Sequence, residues 1–325
     1  MLKWIGIVIG VLALVIAAAA VFGPRPGLDR ENRFDDAALG DDLDAYLAAA
    51  EADVPNLRPG AEKEIIWANT AAKQQTELAI VYIHGFSATK HEIRPVPDKV
   101  AAALGANLYY ARLAGHGRDG DAMAEPEAGD WWRDTGEALA IGRRLGRKVV
   151  VIGASTGVTM ATLALADAEM SKDVIGMIGV APNYRFKGAP LAVVTAPMAR
   201  TIVPLLAGSE RSWEPRNEEQ GKWWTTTYPM VAVTTMGAAV KAAMEVNYGA
   251  LDQPALFIFS DKDEVVDHVR TREVAAAWGA AADIVTMEPA EGEEPSHHVI
   301  AGDITAPSNT DAAAAAMLDW IASLN

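Results

Sequence analysis

Apolar and polar positions along the chain change period several times, and each change marks an element. Residues 4–22, WIGIVIGVLALVIAAAAVF, carry no charge at all, and such a run is long enough as a helix to span a hydrocarbon core. Further on, short apolar runs alternate with stretches of helical period, the signature of an α/β sheet. The pattern predicts strands over residues 64–67, 78–83, 106–111, 149–152, 173–180, 255–260 and 284–287. It predicts helices over 96–104, 130–145, 158–169 and 311–324, with a further short one after the carboxylates Asp41, Asp42 and Asp44.

The stretch 148–169, KVVVIGASTGVTMATLALADAE, shows the change of period most sharply. Val149 to Ile152 read as a buried strand, and from Val158 small and apolar residues return at helical spacing. Between them lies Gly153-Ala154-Ser155-Thr156-Gly157, which is G-x-S-x-G. A serine on a sharp strand-to-helix turn stands clear of the sheet, and the flanking glycines let backbone and helix approach without a Cβ clash. The helix start behind it favours negative charge nearby. A Gly-rich turn that merely packs well is the bland reading of the same residues.

Three regions lie outside the regular alternation. Residues 1–23 are expected to be a transmembrane anchor, with a cleaved signal peptide ending at Ala18-Ala19-Ala20 as the alternative. Arg25, Arg30 and Arg33 after the span favour a catalytic domain on the cytoplasmic side, whereas an export signal would place it on the other. Residues 24–60 read as a Pro-bracketed linker with a short helix. Within the main domain, 61–325, the insertion 183–248 is far longer than a strand crossover needs. It is expected to form a helical lid, and its Trp213, Trp223, Trp224, Tyr228 and Met230 serve either its own small core or the substrate.

Composition narrows the classes. A chain of 325 residues with 50% hydrophobic content can bury a sizeable core. Its net charge of −15 argues against a nucleic-acid partner, which needs a basic surface. The absence of cysteine excludes a thiol nucleophile, a disulfide framework and a thiolate metal site.

A serine hydroxyl needs a base to take its proton, and the base needs an orienting group. His297 and His298 follow the last predicted strand, and Asp261, Asp263 and Asp267 follow the strand at 255–260. Both groups therefore fall at the carboxyl ends of strands, where α/β sheets place their chemistry. A metal site from the Asp cluster and His268 would need a ligand motif that the sequence lacks.

With these residues assembled, residues 64–325 resemble the α/β-hydrolase superfamily, closest to its carboxylesterase and monoacylglycerol-lipase-like branch. The matching pieces are His84-Gly85-Phe86, Gly115-His116-Gly117, Gly153-Ala154-Ser155-Thr156-Gly157, Ser260-Asp261-Lys262-Asp263-Glu264-Val265-Val266 and Ser296-His297-His298-Val299-Ile300. The resemblance implies Ser155 as nucleophile, Asp263 as acid and His298 as base, with Asp261, Asp267 and His297 as the lesser candidates. It implies an oxyanion hole from the backbone N–H groups of Phe86 and Thr156. His84 is expected to shape the oxyanion loop, His116 to pin a turn, and His91 and His268 to lie at the surface. The resemblance implies a serine hydrolase of carboxylic esters, acting on small-molecule or lipid esters without metal or organic cofactor, and the apolar run separately implies a membrane tether through residues 4–22. The rival is a non-catalytic, membrane-tethered binding module on the same fold.

Overall fold

The computed structural model describes residues 2–324; Met1, Asn325 and the side chains at several positions of the first helix lie outside the described residues. The chain opens with α1, Leu2–Phe22, and α2, Leu43–Ala52, whose start is capped by the Asp42 carboxylate accepting the Ala45 N–H. Among the described residues no helix is long and apolar enough to cross a membrane. The transmembrane helix expected over residues 4–22 is therefore not found, although a helix does form there.

The alternating body follows in chain order. Strand β1, Glu64–Ile66, and β2, Thr76–Ile83, precede α3, Val96–Leu104, and β3, Asn107–Tyr110. Helix α4, Ala128–Leu145, starts in a capping box of Glu127 and Asp130 and delivers the chain to β4, Gly146–Ala154. Helix α5, Thr156–Leu165, and β5, Val174–Val180, come next. After a long insertion the body resumes with two further strands and two further helices.

The insertion holds α6, Leu191–Val194, and α7, Ala199–Ala207, separated by a break before Ala199. A two-stranded ribbon of β6, Glu210–Ser212, and β7, Thr227–Pro229, brackets α8, Glu218–Trp223. Helix α9, Ala232–Met244, then returns to the body, with Ala238, Ala239 and Ala243 buried in its main core. The ribbon escaped the sequence pattern because three residues are too few to show a period of two.

The last elements are β8, Ala255–Phe259, α10, His268–Ala277, β9, Ala282–Thr286, and α11, Thr310–Ala322. Helix α10 was not expected: its sequence, HVRTREVAAA, has little apolar stripe, and the Asp267 cap starts it.

One seven-stranded sheet runs in the order β1-β3-β2-β4-β5-β8-β9, with β1 antiparallel to β3 and every other pair parallel. Strand β4 lies in its middle, and the period of two divides its side chains between faces. Val149 and Val151 pack with Trp131, Leu139 and Val158 beneath α4 and α5. Val150 and Ile152 pack with Tyr82, Val100 and Met317 beneath α3 and α11. Helices thus cover both faces, which is why these strands read as continuous apolar runs. The parallel strands end on one edge, and the loops leaving β2, β4, β8 and β9 meet there.

Candidate active site

Ser155 sits between the end of β4 and the first residue of α5, at φ +48°. A non-glycine residue is rarely held there, and the surrounding packing imposes it. The Ser155 N–H donates to the Val180 carbonyl at 2.9 Å, fixing the turn against β5. A Cβ at Gly157 would stand 2.0 Å from the Ile83 carbonyl oxygen, and one at Gly153 would stand 2.7 Å from the Val158 nitrogen. Only glycine fits at these two positions, so the strand and helix close to a distance that lifts the serine above the sheet edge.

The structure brings Ser155, His298 and Asp263 into one hydrogen-bonded chain. Ser155 Oγ lies 3.0 Å from His298 Nε2, and His298 Nδ1 lies 2.8 Å from Asp263 Oδ2. Asp263 is fully buried, and its other oxygen accepts the N–H groups of Val265 and Val266, each at 2.8 Å. With Nδ1–H donating to the carboxylate, Nε2 is left as the acceptor for the serine hydroxyl. Burial works against the His298 imidazolium, but the Asp263 charge and hydrogen bond, with the charges of Glu92 and Glu294, outweigh it and hold its pKa above the ordinary value.

The lesser candidates are engaged elsewhere. His297 turns away from the serine: its Nδ1 lies 2.8 Å from Glu288 Oε2, a close approach without hydrogen-bond alignment. Asp261 pairs with Arg272 at the surface, and Asp267 caps α10 and pairs with Arg185. His84 accepts the Leu113 N–H on Nε2 and donates from Nδ1 to the Gly85 carbonyl at 2.8 Å, so it shapes the loop after β2. Burial lowers its pKa to about 4, which keeps it neutral. His116 bonds the Ala114 carbonyl within its turn. His91 departs from the surface role expected for it, because it is half-buried and stacks on Trp223 with ring centroids 3.6 Å apart. Among the described residues, no group of three or more His, Asp or Glu side chains is placed to hold a metal ion.

Of the two residues expected to supply oxyanion amides, Thr156 follows Ser155 directly and Phe86 lines the same cavity as Ser155. Thr156 opens α5, where the first N–H groups have no partner within the helix. Phe86 follows Gly85 in the loop leaving β2. The sequence reading missed the residue behind that loop. Glu92 is buried, and its Oε2 accepts both the Gly85 N–H at 2.7 Å and the Tyr82 hydroxyl at 3.0 Å. Burial pushes its carboxyl above the usual range. The one available signal was a carboxylate eight positions after His84, in a loop whose residues 85–91 hold no other acidic side chain.

Ser155 and His298 open on a cavity of about 370 Å³ between the sheet edge and the insertion. Phe86, Phe186, Trp213, Trp224, Val233 and Met236 give it an apolar wall. Trp224 also packs with Trp223, Ala61 and Ala88 in a small separate core, so the tryptophans serve both uses considered from the sequence. Arg216 reaches from the insertion to the buried Glu294, four residues before His298, and this ion pair was also missed.

Comparisons with known proteins agree with this architecture. Residues 74–288 match the Hydrolase_4 family, described as serine aminopeptidase, S33. The thermostable monoacylglycerol lipase of Bacillus sp. (strain H-257) is 24% identical over 189 residues, covering 58% of this chain and 72% of that protein. A solved structure from the work on the metagenome-derived lipolytic enzymes LipS and LipT superposes with a TM-score of 0.65 at 20% identity, over 82% of this chain and 99% of that one. The monoacylglycerol lipase of Paleococcus ferrophilus gives 0.57 at 11% identity, over 81% and 98%. A family match over most of the body, on a parallel sheet of this order with a strained serine at its central strand, establishes that the chain belongs to the serine aminopeptidase S33 (Hydrolase_4) family of the α/β-hydrolase superfamily.

Proposed function

We propose that this hydrolase cleaves carboxylic esters through an acyl-enzyme on Ser155. The observation that carries the reading is the chain from Ser155 Oγ through His298 to the buried Asp263, facing an apolar cavity. Ser155 Oγ attacks the ester carbonyl while His298 Nε2 takes its proton. Asp263 holds the imidazole in the required tautomer and stabilises the imidazolium. The N–H groups of Phe86 and Thr156 receive the oxyanion, each contributing about 3 kcal/mol to the transition state. His298 then protonates the departing alcohol, and a water activated by the same nitrogen releases the acid. The relatives named as lipases support esters over amides, and the apolar wall suits an aliphatic acyl group.

The insertion acts in this reading as a lid over the acyl site. Membrane association through α1 is a separate part of the proposal, supported by the uncharged run in the sequence and by the exposure of Trp4, Ile5, Ile9 and Phe22. Fractionation of the full chain beside a variant lacking residues 1–23 tests it.

The catalytic reading is tested with the full chain on p-nitrophenyl esters of increasing acyl length and on amino-acid p-nitroanilides, beside Ser155→Ala and fluorophosphonate labelling. The expected result is ester turnover and labelling that both vanish in Ser155→Ala with folding intact. Substantial residual turnover, or anilide cleavage exceeding ester cleavage, would refute it.

A further inference from the structure

We propose that the ester taken by this site carries an anionic group, a carboxylate or a phosphate, held at the mouth of the Ser155 cavity by Arg211 with Lys187 as the second cation. The inference rests on the ester-hydrolase reading and names its substrate class.

The charged side chains lining the cavity are Glu92, Glu294, Lys187, Arg211 and Arg216. Glu294 and Arg216 form an ion pair and neutralise each other. Glu92 lies on the floor, where its Oε2 is already taken up by the Gly85 N–H and the Tyr82 hydroxyl. Lys187 and Arg211 remain. Neither meets a carboxylate among the described residues. A chain with 43 acidic and 28 basic residues therefore presents two unneutralised cations at the entrance to its catalytic cavity, and an anion there would be drawn in against the field of the rest of the surface.

The two cations approach from different elements. Arg211 lies directly opposite Tyr228 in the β6–β7 ribbon, so both side chains project from the same side. The Tyr228 ring meets Phe86 edge-on with centroids 5.3 Å apart, and Phe86 supplies an oxyanion amide. Tyr228 and Phe86 thus link the strand that carries Arg211 to the loop beside Ser155. The Arg211 charge also partly offsets the effect of burial on the Tyr228 hydroxyl. Lys187 is held by the segment after β8, its backbone N–H on the Val265 carbonyl at 2.8 Å and its ammonium on the main-chain carbonyl of Asp263. That bond uses one of three ammonium protons and leaves two for a ligand. A guanidinium offers a planar pair of donors matched to a carboxylate or phosphate, whereas a neutral monoester offers it only uncharged oxygens and no opposite charge.

The test compares kcat/KM of the full chain on matched pairs. One arm places the charge on the acyl side, the p-nitrophenyl half-ester of succinate beside p-nitrophenyl butyrate. The other places it on the alcohol side, 1-acylglycerol-3-phosphate beside 1-acylglycerol. The expected result is an anionic-to-neutral ratio above about tenfold in at least one arm. That ratio falls by about tenfold in Arg211→Gln, falls less in Lys187→Gln, and declines with added salt. The responding arm identifies which side of the ester carries the charge. A preference for the neutral partner in both arms, or a ratio indifferent to Arg211→Gln, overturns the proposal. A chain that labels at Ser155 but fails this ratio test loses only the substrate assignment, whereas one that neither labels nor turns over any ester loses the hydrolase reading beneath it.

Discussion

Glu92 Oε2 accepts the Gly85 N–H at 2.7 Å directly behind Ser155, where a Cβ on Gly85 would stand 2.6 Å from the Glu92 carboxylate and 3.1 Å from Ser155 Cβ. The carboxyl therefore fixes the peptide that precedes the Phe86 amide. Glu92→Ala removes the acceptor for two buried donors and is expected to lower stability by about 1–3 kcal/mol. It should lower kcat by about tenfold or more with a smaller change in KM, because a misaimed oxyanion donor is felt in the transition state. Glu92→Gln, with its amide oxygen in place of Oε2, keeps both bonds and should recover most of kcat. Equal losses in the two variants, or losses confined to KM, would reject this positioning role.

The pH profile follows from the charges around His298. In the proposed mechanism His298 must be neutral to accept the Ser155 proton, and Asp263 raises the pKa of its imidazolium. Activity is therefore expected to rise with pH along a limb lying above about 6.5, the ordinary histidine value. Asp263→Asn withdraws the charge that favours the imidazolium, so the limb should move to lower pH while kcat falls by about 10⁴-fold. A limb that stays in place in Asp263→Asn would show that another group controls it.

Adjacent histidines offer an internal control. His298 bonds Ser155, whereas His297 faces Glu288. His298→Ala should reduce kcat by at least 10³-fold, and His297→Ala by less than about tenfold. Steady-state kinetics on one ester checks both, and comparable losses would leave the base unassigned.

The Arg216 to Glu294 ion pair ties the insertion to the loop that carries His298. Glu294 is buried and also accepts from the Ser296 hydroxyl and N–H. Removing Arg216 leaves a buried carboxylate without one of its donors, and Arg216→Ala is expected to cost about 1–3 kcal/mol. Because Arg216 is partly exposed, the lower half of that range applies most directly. Adding Glu294→Gln should restore part of the loss. A double-mutant cycle in urea measures the coupling, and an additive result would remove the pair from the account.

Local sequence determined a great deal here. The unbroken apolar run of β4, the return of helical period in α5 and the G-x-S-x-G between them are properties of adjacent residues, so Ser155 and the parallel sheet were legible in the chain. Val96–Leu104 forms the helix that its spacing predicts. Short elements were not legible: the β6–β7 ribbon is stabilised by cross-strand pairing, which three residues cannot advertise. Motif position favoured His298, but only the folded loop turns His297 toward Glu288 and delivers its neighbour to the serine.

Tertiary structure alone decided which charges face the cavity. Glu92, Lys187, Arg211 and Glu294 are distant in sequence or lie in loops without periodicity, and nothing in their neighbours distinguishes a solvated charge from one that lines a site. The sequence also carries an uncharged run at residues 4–22, yet among the described residues no helix is long and apolar enough to cross a membrane. The physical reason for the division is range. Backbone propensity and side-chain period act between residues a few positions apart, whereas burial, ion pairing and the shape of a cavity depend on which segments the closed sheet edge brings together.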